Sequence, residues 1–305
     1  MPRHDSDVST VDTASTVDAV NSDAAVEGLD RLDTPVAPSG RGLRRRRLAR
    51  SVLAPIGAIV LIIAIWQSLW AAAFWPEYQL PAPLDVWRQI LEVTESGEVW
   101  TLLWTSVHRA VIGFAIALVV ATPLGLLLAK VPLVRAAIGP LISGLQSLPS
   151  VAWVPAAVLW FGLTDAAIYT VVLLGAVPSI ANGLVAGIDH IPPILPRVGK
   201  VLGANKLQAA RHILLPAALP GYLAGLKQGW AFSWRSLMAA ELIATSPQLG
   251  VGLGQYLDNG KNLSDMSMVM AGIGLIFLVG VGIELAVFRP LERAVLRARG
   301  LSGAV

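Results

Sequence analysis

Cysteine is absent from the 305 residues, which excludes disulfides, thiolate metal sites and thiol nucleophiles. Charge is scarce as well: Asp, Glu, Lys and Arg make up 14 % of the chain, against roughly 25 % in a soluble domain. A chain so short of charge cannot cover a water-facing surface. A soluble enzyme, a nucleic-acid binder and a disordered protein are excluded on that ground. Histidine is rare too, and His4, His108, His190 and His212 lie in separate segments that offer no metal pair. No G-x-x-x-x-G-K-[ST] run occurs, so the chain has no phosphate loop for ATP. What is abundant is apolar: 55 % of residues are hydrophobic, with 28 Gly, 20 Pro and 10 Trp, and the mean hydropathy is +0.65. This is the composition of a multi-spanning membrane protein.

Residues 1–40 differ from the rest. They carry Asp5, Asp7, Asp12, Asp18, Asp23, Glu27, Asp30 and Asp33 among Ser, Thr and Val, without apolar periodicity. Such a segment buries too little apolar surface to offset its ordering entropy and reads as a disordered acidic tail. A basic segment, 41–51, follows with Arg41, Arg44, Arg45, Arg46, Arg47 and Arg50, and an apolar run covers 52–75. The arrangement resembles a signal peptide, and the arginines alone could be a nuclear or twin-arginine signal. A signal core is only about 7–15 residues long, whereas this run can cross a bilayer of roughly 30 Å. It reads as a retained first span. Further spans are expected at 110–129, 136–164, 166–188, 214–244 and 266–288, six in all.

Lys and Arg set the orientation. With the N-terminus inside, the inner segments hold the arginine cluster, then Lys130 and Arg135, then Arg197, Lys200, Lys206 and Arg211, and finally Arg289, Arg293, Arg297 and Arg299. The outer segments hold Arg88 and Lys261, with Arg109 at a helix mouth, beside Glu77, Asp85, Glu92, Glu95 and Glu98. Both termini are therefore expected in the cytoplasm.

The inner loop at 189–213 is the most informative segment. Pro192, Pro193 and Pro196 break the preceding helix, 197–208 can form a short basic helix, and Pro216 and Pro220 mark entry to the next span. Composition alone leaves two readings open, a docking surface for a partner or a helix lying on anionic headgroups. Gly203, Ile213, Leu215 and Pro216 stand at the spacing of the EAA motif, and the loop around them reads LGANKLQAARHILLPAALP. In this it resembles the permeases of bacterial ABC importers, in the branch that includes aliphatic sulfonate, taurine and nitrate permeases. LPAPLDVWRQI at 80–90, SLPSVAWVPAAVLWFG at 147–162 and SWRSLMAAELIA at 233–244 carry the same resemblance. One departure is visible: Arg197, Val198 and Gly199 stand where the motif has Glu-Ala-Ala.

The resemblance implies an all-α integral membrane protein of the type I importer permease (MetI-like) fold. Its permease domain would cover 52–299, ahead of a short C-terminal tail at 300–305. It implies a bacterial inner-membrane location and three partners: a second permease copy, a cytoplasmic ABC ATPase dimer that binds ATP and Mg, and an extracellular or periplasmic binding protein. The coupling helix would use Arg197, Gly199, Leu202, Gly203, Ala204, Asn205, Ile213 and Pro216. The solute class it implies is a small anion (sulfonate, taurine or nitrate), with bicarbonate or pyrimidine-like solutes as alternatives. No cofactor is expected on this chain.

Ionisable residues within spans are costly and point to function. Lys227, Arg235 and Glu241 all lie in the fifth span. They are candidates for lining a translocation pathway; the structural alternative is pairing among themselves or with carbonyls, or snorkelling. Gly221, Gly225 and Gly229 recur every four residues and form a smooth stripe for helix packing. Gly250, Gly252 and Gly254 resemble a phosphate loop but lack its strand and helix. Trp153, Trp160, Trp230 and Trp234 could stack on a substrate, but interface or packing roles fit them better. Arg109, beside His108, suits anchoring of a helix end. An intramembrane enzyme would need convergent acid–base or metal groups, and a secondary transporter would show internal repeats; neither is evident. Deleting residues 1–38 is expected to leave transport intact; a truncation that is expressed well but transport-dead would refute the tail reading.

Overall fold

The computed structural model describes residues 40–246 and 249–298. Apart from Gly40, the acidic tail read at 1–40 lies outside them, as does the C-terminal tail at 300–305. Every regular element among the described residues is helical. The chain divides into two units, up to Ile65 and from Trp66; the core belongs to the second. The helices are α1 Gly40–Ala71, α2 Pro83–Glu95, α3 Glu98–Lys130, α4 Pro132–Ser147, α5 Val154–Phe161, α6 Asp165–Asp189, α7 Ile194–Val201, α8 Leu215–Ile243, α9 Leu253–Asn262, α10 Met266–Ile283 and α11 Arg289–Ala298.

Among the described residues four stretches are long and apolar enough to cross a membrane: Leu53–Ala71, Glu98–Lys130, Asp165–Asp189 and Met266–Arg297. The span expected at 136–164 is instead a broken pair, α4 and the segment Ser150–Phe161, bent by 100°. Leu148 is extended, with ψ of 134°, because the ring of Pro149 excludes the α-region from the residue before it. The span expected at 214–244 is α8, whose 29 residues reach about 43 Å. Its Lys227, Gln228 and Arg235 make it the least apolar of the set. With the broken pair as one span, five candidates stand among the described residues, and α8 is long enough to be the sixth. The second span begins earlier than expected: α3 starts at Glu98, not near 110, because a helix continues through polar residues once its apolar part is anchored.

Helix α6 is the centre. It packs most extensively against α8, then α3, with α4 and α5 on its flank; α9 joins α8 to α10, and α10 also touches α2. Lipid tails are as apolar as leucine, so spanning helices associate through close packing and not through exclusion of water. Small residues make that packing possible here. A Cβ on Gly183 would sit 2.3 Å from the Cα of Gly225, and one on Gly221 would sit 2.6 Å from the Cα of Gly187. Gly229 faces Ile180 in the same contact, at 2.4 Å. The stripe Gly221, Gly225 and Gly229 thus meets a second stripe, Gly183 and Gly187, which the sequence analysis did not name. Thr122 of α3 and Tyr222 of α8 share a hydroxyl hydrogen bond of 2.6 Å beside it.

Gly183→Ala is expected to destabilise the protein by about 1–3 kcal/mol, since backbone must move to admit the methyl. Gly144→Ala, with nothing within 4 Å of its Cβ, is expected to be neutral or stabilising by up to ~1 kcal/mol. Heat challenge of the detergent-solubilised protein followed by gel filtration checks the difference.

Candidate functional site

Three features stand out in this scaffold: a surface helix, a buried polar clamp, and polar crevices along α8.

The loop after α6 forms α7, and its boundaries correct the sequence expectation. A single helix over 197–208 was expected; the structure ends α7 at Val201 and starts a new turn at Lys206. Gly203 causes the break. It has φ of +74°, the left-handed region that favours glycine. The amide of Ala204 donates to the Gly199 carbonyl at 3.0 Å, and that of Gly203 to the Lys200 carbonyl at 3.1 Å. These two bonds are a Schellman termination. Two residues on, Asn205 and Gln208 cap each other reciprocally: each backbone amide donates to the other's side-chain oxygen, at 2.9 and 2.8 Å. This is a capping box, with Asn and Gln at its two ends. The glycine of the motif therefore terminates one helix so that the next can begin.

Ile213 then ties the two together. A Cβ on Gly199 would lie 2.2 Å from Ile213 Cδ1, so the isoleucine packs against bare α7 backbone, and Gly199 is buried. The π-helical turn Ala210–Leu214 precedes α8, where Pro216 has no N–H to close a regular helical bond. On the other side of α7 the apolar residues face outward: Val201 is 86 % and Leu202 79 % exposed, with Ile194 and Val198 also exposed. Arg197, Lys200 and Asn205 are exposed, and Ala204 is half-buried. Nearby, Arg135 and Asp189 form a two-bond pair, at 2.9 and 2.6 Å, that joins α4 to the end of α6.

The clamp was not anticipated. Arg109 does not sit at a helix mouth; it lies well inside α3 and is 6 % exposed. Its Nε donates to Asp165 at 2.8 Å, its Nη1 to Glu241 at 3.3 Å, and its Nη2 to the carbonyl of Leu249. Glu241 also accepts from Ser106 at 2.7 Å and from the amide of Gly254 at 3.1 Å, while Ser106 accepts from the amide of Leu253 at 2.8 Å. One guanidinium thus joins α3, α6, α8 and the loop before α9. The glycines that resembled a phosphate loop make this possible. A Cβ on Gly252 would lie 2.6 Å from the Glu241 carboxylate oxygens, and one on Gly254 2.8 Å from the Met238 carbonyl. The acid paired with Arg109 is 132 residues away, which no local pattern reveals.

Lys227, Arg235 and Glu241 are not brought together. Glu241 is in the clamp. Lys227 pairs with Glu284, which begins the π-helical turn Glu284–Phe288, and the guanidinium of Arg235 lies 5.8 Å from the ring centroid of Phe232. On another face of α8 lies a crevice of about 660 Å³, lined by Gln146, Ser179, Asn182, Gly183, His190 and Gln228 among others. Within it Asn182 donates to Gln146 and Gln146 to Ser179, each at 3.0 Å. Ser179 and Gln146 carried no periodic signal in the sequence.

An all-helical fold with a proline- and glycine-punctuated surface helix between two spans is that of an integral membrane protein. The chain belongs to the family of binding-protein-dependent transport system inner membrane components, matching it over residues 121–296. It is 28 % identical over 251 residues to the taurine transport system permease protein TauC of Escherichia coli (strain K12), covering 81 % of this chain and 90 % of that one. It is 29 % identical over 258 residues to the putative aliphatic sulfonates transport permease protein SsuC of Bacillus subtilis (strain 168), covering 85 % and 90 %. Its fold resembles a chain of the MetNI methionine ABC transporter in inward facing conformations, with a TM-score of 0.53 and 21 % identity, covering 63 % of this chain and 94 % of that one. It is a multi-pass inner-membrane transport component of an ABC importer and not an enzyme.

Removing the clamp's central acid leaves a buried guanidinium undercompensated. Glu241→Ala is expected to cost about 3–5 kcal/mol, and Ser106→Ala about 1–3 kcal/mol. Thermal unfolding of the purified permease would show the order; equal melting of Glu241→Ala and wild type would refute a structural clamp.

Proposed function

We propose that this chain moves a small anionic solute (a sulfonate, taurine or nitrate) into the cytoplasm, by alternating access driven by ATP hydrolysis on a separate ATPase dimer. Two copies would form the pathway, and a binding protein would deliver the solute from outside. The observation that carries the reading is α7. It presents an apolar outer face, while Ile213 packed on Gly199 fixes it to the segment that becomes α8. A push on α7 from a bound partner is thereby transmitted to a spanning helix. Lys200, Arg197 and the exposed Val201 and Leu202 form the contact surface. An Arg at position 197, where the motif has Glu, calls for an acidic group in the partner's cleft.

The polar residues along α8 support a pathway. Lys227, Gln228 and Arg235 are exposed on a helix that crosses the membrane, and lipid is a costly neighbour for such groups. Arg235, which has no ion pair among the described residues, favours an anion. TauC and SsuC, the relatives described above, carry taurine and aliphatic sulfonates in their names, and the solute proposed here is of that class.

The test is binding-protein-dependent stimulation of ATP hydrolysis in liposomes, with taurine, alkyl sulfonates and nitrate as solutes. A β-branched residue in the left-handed region strains the turn by 1–2 kcal/mol, so Gly203→Val is expected to lower stimulation by about tenfold while the complex still copurifies. Full stimulation in that variant, or solute flux without ATP, would overturn the coupling reading.

A further inference from the structure

Between α8 and the wall made by α10 and α11 lies a cavity of about 960 Å³, lined mainly by apolar and aromatic side chains such as Trp230, Trp234 and Phe277. Four charged residues also line it: Lys227 and Arg235 on α8, and Glu284 and Glu292 on the opposite wall. Lys227 and Glu284 pair across the space, with side chains 45 % and 34 % exposed, so neither is sealed in protein. Arg235, about 12 Å further along α8, has no ion-pair partner among the described residues. The Nε1 of Trp230 is a buried donor with no acceptor in the same wall.

An ammonium within a spanning helix calls for an anionic neighbour. Glu284 supplies that anion here, from the first residue of a π-helical turn. Such turns are rare and occur mostly as single-turn bulges, frequently at functional sites. An alkyl or aryl body fits the apolar wall, whereas a bare nitrate leaves it unfilled.

We propose that this cavity binds an organic anion with an aliphatic body, and that Glu284 occupies, in its absence, the place at Lys227 that the solute's anionic head takes. The transport role of the site rests on the importer reading above; the binding itself does not. Arg235 is the second cation for the same head group on its way along α8.

The test is calorimetric titration of butanesulfonate and of nitrate into the full-length permease in phosphatidylcholine nanodiscs. Wild type is expected to bind butanesulfonate at least about tenfold more tightly than nitrate. Glu284→Gln removes the internal competitor and is expected to tighten butanesulfonate binding about tenfold. Lys227→Gln, and the double variant Lys227→Gln with Glu284→Gln, are expected to lose it. A purely structural ion pair would give the opposite result for Glu284→Gln, weaker or unchanged binding, and that outcome overturns the proposal. If Glu284→Gln does not fold, Glu284→Asp replaces it, with a smaller tightening expected. Loss of butanesulfonate binding in phosphatidylglycerol nanodiscs, at unchanged ionic strength, would make the cavity a phospholipid site and also overturn it. ATP-driven uptake by the permease assembled with its ATPase and binding protein separates the two readings. Uptake without binding by the isolated permease sinks the cavity site alone; binding without uptake of any solute sinks the importer mechanism alone.

Discussion

The contact of α6 with α8 at Gly183 and Gly225 is the constraint on which the rest depends. A Cβ on either glycine would fall within 2.6 Å of the other's Cα, so the two backbones meet with no side chain between them. In a lipid solvent no hydrophobic force draws helices together; what remains is dispersion, which rises steeply as surfaces approach, and internal hydrogen bonding. Bringing α6 and α8 to this separation places Thr122 beside Tyr222. It also leaves α8 free to show Lys227, Gln228 and Arg235 on its other faces. On the α4 side of α6, Gln146 joins Ser179 and Asn182 in one chain of hydrogen bonds.

The two ends of α8 are held differently, and the difference has a functional logic. At Glu241 the helix is locked: a buried guanidinium, a carboxylate and backbone amides satisfy one another, and the glycine-rich loop folds down over them. Groups of this kind are costly to separate once withdrawn from water. At the other end α8 is preceded by a π-helical turn and by α7, which Ile213 holds through apolar packing on Gly199. That contact is directional, local and without charge. In the importer reading proposed above, α8 is fixed at one end and steered at the other. Glu284, at a second π-helical turn opposite Lys227, stands midway on the neighbouring wall.

Much of this was legible in the sequence, for physical reasons that can be named residue by residue. Scarcity of charge and long apolar runs dictate spanning helices, because unsatisfied backbone is intolerable in lipid. The Gly203 turn and the Asn205–Gln208 box are local, each a consequence of backbone geometry within a few residues. Even so, the sequence pattern suggested one helix over 197–208, since periodicity does not show where a left-handed glycine will terminate it. The break at Leu148 and Pro149 was missed for a related reason: apolar composition is continuous across it, and only the restriction that proline places on its predecessor bends the chain.

What the sequence determined by itself, then, was the solvent this chain folds in, the existence of its spans and the local chemistry of the 189–213 loop, all of which follow from composition or from neighbours a few residues apart. Only the tertiary structure decided which charges meet. Arg109 could not be matched to Glu241 and Asp165, nor Lys227 to Glu284 in preference to Glu241, nor Gly225 to Gly183, because each pair is far apart in the chain and each partner is equally plausible until helix packing selects one. Glycines at 250, 252 and 254 mean nothing by their spacing; they acquire their purpose when the loop that carries them lies on the carboxylate of Glu241. Electrostatic partnership in a membrane depends on distance through the fold, and the chain's linear order does not record that distance.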